Sequence, residues 1–154
     1  MSTGNDLKME DWAKGIPLNA GIWNFGIWQP SPEVAEFWEG VKRKELLLKW
    51  CPHCKRAFHP KRIICTVCGA DDLEWKKSAG KGKVYSFSEV HRAPTDTFAG
   101  STPYTVGMVS LDEGVVLFTR FIHEKGAVAI DKPASVDFRV LEQGQLLPVF
   151  VVGK

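Results

Sequence analysis

Cys51-Pro52-His53-Cys54 and Cys65-Thr66-Val67-Cys68-Gly69 are the two stretches that decide the fold, because they contain all four cysteines of this 154-residue chain. Two Cys-x-x-Cys pairs separated by ten residues can present four thiolates in a tetrahedral array, which is the usual ligand set of structural zinc. Four protein ligands leave no open position for activating water. The spacing therefore predicts a structural metal site made by Cys51, Cys54, Cys65 and Cys68. Zinc is the expected ion, and iron in a rubredoxin-like state is the alternative.

Two kinds of neighbouring residue bear on this site. Gly69 suits the tight turn after the second pair, and Lys55 takes the matching place after the first. His53 and His59 lie close enough in sequence to replace a cysteine, but four thiolates already complete the shell. We therefore expect neither histidine to be a ligand.

The segment before the cysteines has the pattern of an amphipathic helix that leads into a short strand. Ser31 is a candidate N-cap, and Pro32 suits the first helical position. Leu46 to Leu48 predict the strand. The apolar stripe of the helix recurs at i, i+3, i+4 and i+7, as Val34, Phe37, Trp38 and Val41.

After the cysteines the pattern changes to alternating β-branched and aromatic residues, which predicts five short strands in about 70 residues. Such a set suggests a small barrel of the OB type, although an open sandwich fits the pattern nearly as well. Asp112 to Gly114 predict a hairpin turn, and the long connection from His91 to Pro103 is a candidate binding element. The predicted strands are 82–90, 104–111, 115–122, 135–141 and 146–152.

The first 30 residues are rich in tryptophan and glycine and show neither helical nor strand periodicity. This arm is too aromatic for an ordinary disordered tail. It either packs along its own domain or contacts a partner protein through aromatic anchors, and we favour the second interpretation. The candidate partner-binding residues are Trp12, Trp23, Phe25 and Trp28.

The expected architecture is therefore mainly β, in four consecutive parts. Residues 1–30 form an extended Trp-rich arm, and residues 31–48 a helix with its lead-in strand. Residues 49–78 form a rubredoxin-like zinc ribbon, and residues 79–154 an OB-type barrel. A chain of this length, 44% hydrophobic, can bury one respectable core or two small ones.

Charge is unevenly distributed along the chain. Residues 42–83 contain twelve Lys or Arg against four Asp or Glu, whereas the remainder contains eight against fourteen. A basic segment on an otherwise acidic protein suggests an anionic partner, with solvated surface lysines as the alternative interpretation. The start of the chain lacks the pattern of a secretory signal, and no stretch is apolar enough to span a bilayer, so we expect a cytoplasmic protein.

Catalytic motifs are absent from the sequence. There is no Gly-x-Ser-x-Gly elbow, no phosphate-binding Gly-x-x-x-x-Gly-Lys-Ser/Thr loop and no His-Glu-x-x-His helix. With all cysteines assigned to metal, no thiol nucleophile is left. His91 and His123 lie near predicted strand ends, where they could do acid-base work or simply be polar surface residues.

Taken together, these features resemble the acyl-CoA-associated zinc-ribbon/OB-fold proteins of bacteria and archaea. The resemblance covers roughly residues 34–152 and depends on the order and spacing of several short pieces. Besides the two cysteine pairs, these are Phe37-Trp38-Glu39-Gly40, Leu73-Glu74-Trp75, the stretch from Ser78 to Phe87, Pro103-Tyr104 and Leu147-Pro148-Val149-Phe150. The long aromatic arm and Lys55, where glycine is common, depart from a minimal member.

The resemblance implies a non-catalytic accessory subunit that works beside a thiolase-like enzyme and helps to bind or enclose a CoA thioester. It leaves uncertain whether the chain has any activity alone. Coenzyme A carries phosphates, so a basic segment has a fitting ligand. The candidate CoA-binding residues are Lys55, Arg56, Lys61, Arg62 and Arg92.

Two other functions compete with the accessory role. A nucleic-acid-binding module is one, because zinc ribbons and OB barrels both bind DNA or RNA; the acidic barrel half speaks against it. A free-standing enzyme that uses His91, Arg92 or His123 is the other.

Overall fold

The computed structural model describes residues 32–142 and 145–153. The aromatic arm, with Trp12, Trp23, Phe25 and Trp28, and the candidate N-cap Ser31 lie outside the described residues, so the predictions for them stay predictions. The architecture within that range is mainly β, with a short helix, a small three-stranded sheet and a closed five-stranded barrel. The predicted fold class is confirmed.

The described residues begin with a 3-10 turn, Pro32–Val34, which is followed by helix α1, Ala35–Lys42. The predicted helix is thus present, but Pro32 lies in the 3-10 turn rather than at the first α-helical position. Such tight turns are frequent at helix starts. Val34 and Val41 are buried, whereas Phe37 and Trp38 are partly buried and pack edge to face with ring centroids 5.2 Å apart.

Strand β1, Leu47–Cys51, begins one residue later than predicted and runs through the first cysteine. It pairs antiparallel with β2, Arg56–Phe58, and with β3, Glu74–Lys77. Lysine and tryptophan side chains cover this sheet: Lys49 Nζ lies 3.9 Å from the ring centroid of Trp75. Strands β2 and β3 are only three and four residues long, and β3 is largely charged, so their sequences carry no alternating apolar signal.

The barrel contains the five strands expected from the sequence, in the order β4-β5-β6-β8-β7, with β4 paired to β7 to close it. All pairs are antiparallel except β6 with β8. A short helix, α2, Asp96–Ala99, lies in the connection from His91 to Pro103. The strands are β4 Lys81–Val90, β5 Tyr104–Leu111, β6 Val116–Ile122, β7 Pro133–Val140 and β8 Leu146–Val152.

Four boundaries of the barrel strands differ slightly from the sequence prediction. Strand β4 begins at Lys81 and β7 ends at Val140, each one residue earlier than predicted. Strand β7 begins at Pro133 rather than Ser135, because proline is tolerated at the first position of a strand, where its missing N–H is not needed. Strand β6 begins one residue later than predicted, after the turn at Asp112–Gly114. There the N–H of Gly114 donates to the carbonyl of Leu111 over 2.9 Å, and Gly114 has φ +84°.

The three leucines before the ribbon join the parts of the fold. Leu46 and Leu48 belong to the same buried cluster as the barrel residues Val84, Val109 and Phe150. Leu47 is also buried, and a Cβ placed on Gly40 of α1 would meet its Cδ1 at 2.7 Å. Successive side chains of a strand alternate in direction, so one short stretch contacts both the barrel and α1. The entry to the ribbon therefore helps to complete the barrel core.

Candidate metal centre

The first cysteine pair forms a tight knuckle at the end of β1. The N–H of Cys54 donates to Sγ of Cys51 over 3.4 Å, and the N–H of Lys55 donates to the carbonyl of Cys51 over 2.9 Å. Lys55 has φ +56°, in the left-handed region that glycine usually fills. The knuckle ends there, because β2 begins at Arg56.

The second pair repeats this geometry without a strand before it. The N–H of Val67 donates to Sγ of Cys65 over 3.4 Å, and the N–H of Gly69 donates to the carbonyl of Cys65 over 2.9 Å. Gly69 has φ +76°. Amides that point at sulfur favour the thiolate form, which is the form that binds metal.

The two knuckles bring the four sulfurs together. Sγ of Cys51 lies 3.7 Å from Sγ of Cys68, and Sγ of Cys54 lies 3.8 Å from Sγ of Cys65. All four sulfurs lie within 4.8 Å of one another. Ligands of a tetrahedral zinc ion at the usual Zn–S distance are separated by about 3.8 Å. The cluster therefore has the dimensions of a four-thiolate metal site, and the four residues predicted from spacing are the ones that meet.

The thiols of the cluster strongly influence one another's pKa values. A hydrogen bond with Cys68 and burial raise the pKa of Cys54 to about 12. Hydrogen bonds from the backbone of Cys68 and Val67 lower the pKa of Cys65 to about 6, against the effect of burial. One thiolate thus forms readily, and its negative charge opposes ionisation of the remaining thiols. A bound divalent cation would remove that opposition.

The histidines near the knuckles stay outside the cluster. Nε2 of His53 lies 2.8 Å from Oδ2 of Asp72, so the ring bridges the first knuckle to the segment before β3. Nδ1 of His59 accepts a hydrogen bond from the N–H of Lys61 over 3.1 Å. Among the residues that the structure describes, the four cysteines form the one group with metal-binding geometry.

The basic residues predicted to bind CoA fall into separate places. Lys61 and Arg62 line an open cleft of about 530 Å³ on the ribbon, together with Ile63, Ile64 and Thr66. Lys55 and Arg56 are exposed at the first knuckle. Arg92 is distant from them along the fold, because it follows the far end of β4. Ten residues of strand extend about 30 Å. Four of the five candidate CoA-binding residues therefore lie on the ribbon.

The histidines proposed for acid-base chemistry have ordinary surroundings. The His91 side chain is exposed, and its Nε2 lies 3.9 Å from Oε2 of Glu89. In His123, Nδ1 lies 2.7 Å from the carbonyl oxygen of Glu124 and Nε2 lies 2.7 Å from Oγ1 of Thr105. A neutral ring that donates through Nδ1 accepts from Thr105 at Nε2. Thr105 is buried, so this pair joins β5 to the segment after β6.

Glu113, expected from the sequence only as part of the hairpin turn, makes a contact that the sequence does not predict. Its Oε1 accepts hydrogen bonds from Ser78 Oγ over 2.7 Å and from the N–H of Ala79 over 2.8 Å. The N–H of Gly80 in turn donates to Ser78 Oγ over 2.9 Å. The β5–β6 turn thereby holds the linker between ribbon and barrel. An acidic residue in a turn gives no sequence signal of a partner 34 positions away.

Comparison with known proteins agrees with this geometry. The family model for the ChsH2 rubredoxin-like zinc ribbon domain matches residues 38–74, and the model for the ChsH2 C-terminal OB-fold domain matches residues 75–139. A DUF35 domain-containing scaffold protein of Methanothermobacter thermautotrophicus is 32% identical over 117 residues, which cover 73% of this chain and 87% of that protein. The chain belongs to the DUF35 family. The resemblance inferred from the sequence is confirmed.

Other relatives have names that refer to CoA chemistry. A probable enoyl-CoA hydratase alpha subunit of Thermomonospora curvata is 34% identical over 127 residues, covering 79% of this chain and 39% of that protein. The benzoylsuccinyl-CoA thiolase subunit BbsA of Thauera aromatica is 29% identical over 85 residues, covering 53% and 54%. The chain thus spans well under two thirds of the length of both these relatives.

A solved structure shares the fold. The Ltp2-ChsH2(DUF35) aldolase superposes with a TM-score of 0.72 at 30% identity, covering 82% of this chain and 100% of that one. Within the part of the chain that the structure describes, no helix is long and apolar enough to cross a bilayer.

Proposed function

We propose that this chain is a zinc-binding, non-catalytic accessory subunit of a thiolase-like acyl-CoA enzyme complex. Its role is to stabilise the complex and to help bind or enclose the CoA thioester. The observation that carries the proposal is the four-thiolate ribbon joined to an OB barrel in a family whose relatives include a named thiolase subunit. The Ltp2-ChsH2(DUF35) aldolase supports an enzyme as partner.

The chemistry of the described residues favours a non-catalytic role for this chain. Four thiolates around zinc leave no coordination position for water or substrate, so the metal would stabilise the ribbon and take no part in a reaction. We propose zinc rather than iron as the resident ion, with Cys51, Cys54, Cys65 and Cys68 as ligands. The acyl transfer would use a nucleophile of the partner.

The ribbon cations support CoA as ligand. Lys61 and Arg62 share one cleft beside the apolar Ile63 and Ile64. Cations can bind the phosphates of CoA, and aliphatic side chains can pack on its adenine. Lys55 and Arg56 carry further positive charge on the same ribbon. Arg92, near the other end of the barrel, remains a candidate for a separate contact.

Co-expression tests the proposal directly. The chain is produced with the thiolase-like subunit encoded nearest to its own gene, and the mixture is separated by gel filtration and assayed for zinc. We expect one hetero-oligomeric peak that contains both chains and one zinc ion per copy of this chain. Separate elution at micromolar concentration would contradict the accessory role.

Charge reversal tests the CoA contact. In the purified complex, Lys61→Glu with Arg62→Glu should weaken acyl-CoA binding measured by calorimetry by at least about tenfold, since two charge-assisted phosphate contacts are lost. Lys125→Glu with Lys132→Glu, a double reversal at exposed residues between β6 and β7, is the matched control. Unchanged affinity in the variant at Lys61 and Arg62 would remove the ribbon from the CoA site.

The nucleic-acid alternative has a test of its own. OB barrels bind oligonucleotides on the face of their second and third strands, here β5 and β6. Arg120 on that face is paired with Glu142, with Nη1 2.6 Å from Oε1. Tight, salt-sensitive binding of single-stranded oligonucleotides in a fluorescence titration would revive this function.

A further inference from the structure

The outer face of β4, β5 and β6 carries large apolar side chains that the chain's own fold leaves exposed. Met108 on β5 lies directly opposite Phe118 on β6 and opposite Ser86 on β4. Val116 lies two residues before Phe118 on the same side of β6, and Tyr85 lies at the irregularity in the pairing of β4 with β5. Tyr85, Met108, Val116 and Phe118 are called the barrel face below.

The exposure of these residues is high for their size. Phe118 is 71% exposed, Tyr85 61%, Met108 41% and Val116 40%. An antiparallel sheet with one solvated side normally alternates apolar with polar residues. Here Val116 and Phe118, at outward positions of β6, are also apolar, and the run Val115–Phe118 has the apolar pattern of a strand that is covered on both sides. Contiguous exposed apolar groups of this kind mark sites of protein contact.

The charges around the barrel face indicate the chemistry of what covers it. Its neighbours in the register are Ser86, Ser88 and Ser110, which are neutral. Arg120, the cation on the same side of β6, is neutralised by Glu142 and stacks on the ring of Tyr104 with Cζ 4.6 Å from the centroid. Lys83 lies at the edge, opposite Ser110. The complementary surface is therefore uncharged and apolar, unlike a nucleic acid.

Backbone pairing leaves the same side of the barrel accessible. Strand β6 pairs with β8 only at Phe121 and Ile122 among the described residues. Its earlier part, which carries Val116 and Phe118, pairs on one side with β5. An incoming protein surface can thus approach both the side chains and the edge of β6.

The area of the barrel face argues against a simple dimer of two copies. Its four side chains expose roughly 400 Å². A stable interface needs about 800 Å² from each partner. The barrel face alone thus supplies about half of the area that a stable interface needs from one partner. A partner must therefore also contact another part of the chain.

We infer that the barrel face is a docking surface for an uncharged, apolar patch of the catalytic subunit. This inference rests on the proposed function and adds where the subunit binds. Tyr, Phe and Met are enriched in the energetically dominant centres of interfaces. Phe118 and Met108 form that centre, and the neutral serines form its rim.

Binding measurements on a double variant test the inference. Met108→Thr with Phe118→Thr removes the apolar centre and keeps residues that suit an exposed strand. We expect the dissociation constant for the purified thiolase-like subunit to rise about 30-fold, with zinc content unchanged. Ile130→Thr with Val140→Thr removes two aliphatic side chains outside the barrel face that are 54% and 64% exposed, and it should leave the dissociation constant unchanged.

Oxidation of Met108 provides a readout that does not depend on substitution. Dilute peroxide should convert exposed Met108 to the sulfoxide in the free chain, and the complex should slow this reaction at least about tenfold because Met108 is buried there. Peptide mass spectrometry separates Met108 from the other two methionines. Equal rates in the free chain and the complex would overturn the inference.

The remaining outcomes are distinct. If the wild-type chain forms no complex with the subunit, the proposed function fails and the inference fails with it. If the wild-type complex forms and the double variant binds equally well, only the inference fails. If the free chain is a dimer that the double variant dissociates, a second copy covers the face. If deleting residues 1–30 speeds Met108 oxidation in the free chain, the arm covers it. Both of the last two results overturn docking of the subunit.

Discussion

Lys55 and Gly69 occupy equivalent positions in the two cysteine knuckles. Each follows the second cysteine of its pair, has a positive φ and donates its N–H over 2.9 Å to the carbonyl of the first cysteine. The same backbone turn is therefore built twice, once with glycine and once with lysine. A side chain in the left-handed region costs roughly 1–2 kcal/mol, so the two knuckles differ in strain although they have the same shape.

Substitution at these two positions should have opposite effects on the ribbon. Gly69→Ala should lower the free energy of unfolding of the metal-loaded chain by about 1 kcal/mol, because it introduces a Cβ at φ +76°. Lys55→Gly relieves that strain but adds freedom to the unfolded chain, so it should change stability by no more than about 1 kcal/mol, in the favourable direction. Denaturant unfolding measures both.

The control for these variants is Gly100→Ala. Gly100 has φ −73°, and a Cβ there would meet nothing within 4 Å, so the substitution should be neutral or slightly stabilising. If Gly69→Ala is as harmless as Gly100→Ala, the second knuckle does not need glycine.

Loss of one thiolate should release the metal. We expect Cys65→Ser to abolish stoichiometric zinc and to unfold the ribbon, because metal-binding energy is folding energy in such modules. Elemental analysis gives the metal content, and a cobalt-loaded sample should show the absorption of a tetrahedral four-sulfur site in the wild type alone. Full zinc content in the variant would contradict the ligand assignment. A red, iron-containing wild type would contradict zinc as the resident ion.

The contact between Glu113 and the linker should stabilise the junction of ribbon and barrel. Glu113→Ala leaves Ser78 Oγ and the N–H of Ala79 without their acceptor, at a cost of about 1–3 kcal/mol in the free energy of unfolding. Glu113→Gln keeps one carbonyl acceptor and should cost less. Asp112→Asn, next to it in the turn, is the control. A Glu113→Ala variant as stable as the wild type would show that the carboxylate does not hold the linker.

Gly107 should tolerate no side chain. It lies opposite Phe87 in the β4–β5 pair, and a Cβ there would overlap Ser86 O and lie 2.7 Å from Phe87 Cα. Backbone atoms cannot move aside as a flexible side chain can. We expect Gly107→Ala to lower the free energy of unfolding by about 3 kcal/mol, measured by thermal or denaturant unfolding. A loss below about 0.5 kcal/mol, within the range of ordinary surface substitutions, would contradict this close approach.

The positions of the strands were well predicted where the local pattern is strong. Tyr104–Leu111 and Leu146–Val152 have the predicted boundaries, because alternation in the sequence follows alternation of the side chains across a sheet. Strands β2 and β3 were missed, since they are three and four residues long and held by pairing with β1 rather than by an apolar pattern of their own.

The sequence by itself determined the four-cysteine cluster and the number of barrel strands, because these depend on spacing and on short-range periodicity. The tertiary structure alone decided that Leu46 and Leu48 complete the barrel core and that Glu113 holds the linker. It also decided that Met108 and Phe118 meet on one exposed face. Each of these is a contact between distant segments, set by strand order and register, which no local pattern encodes.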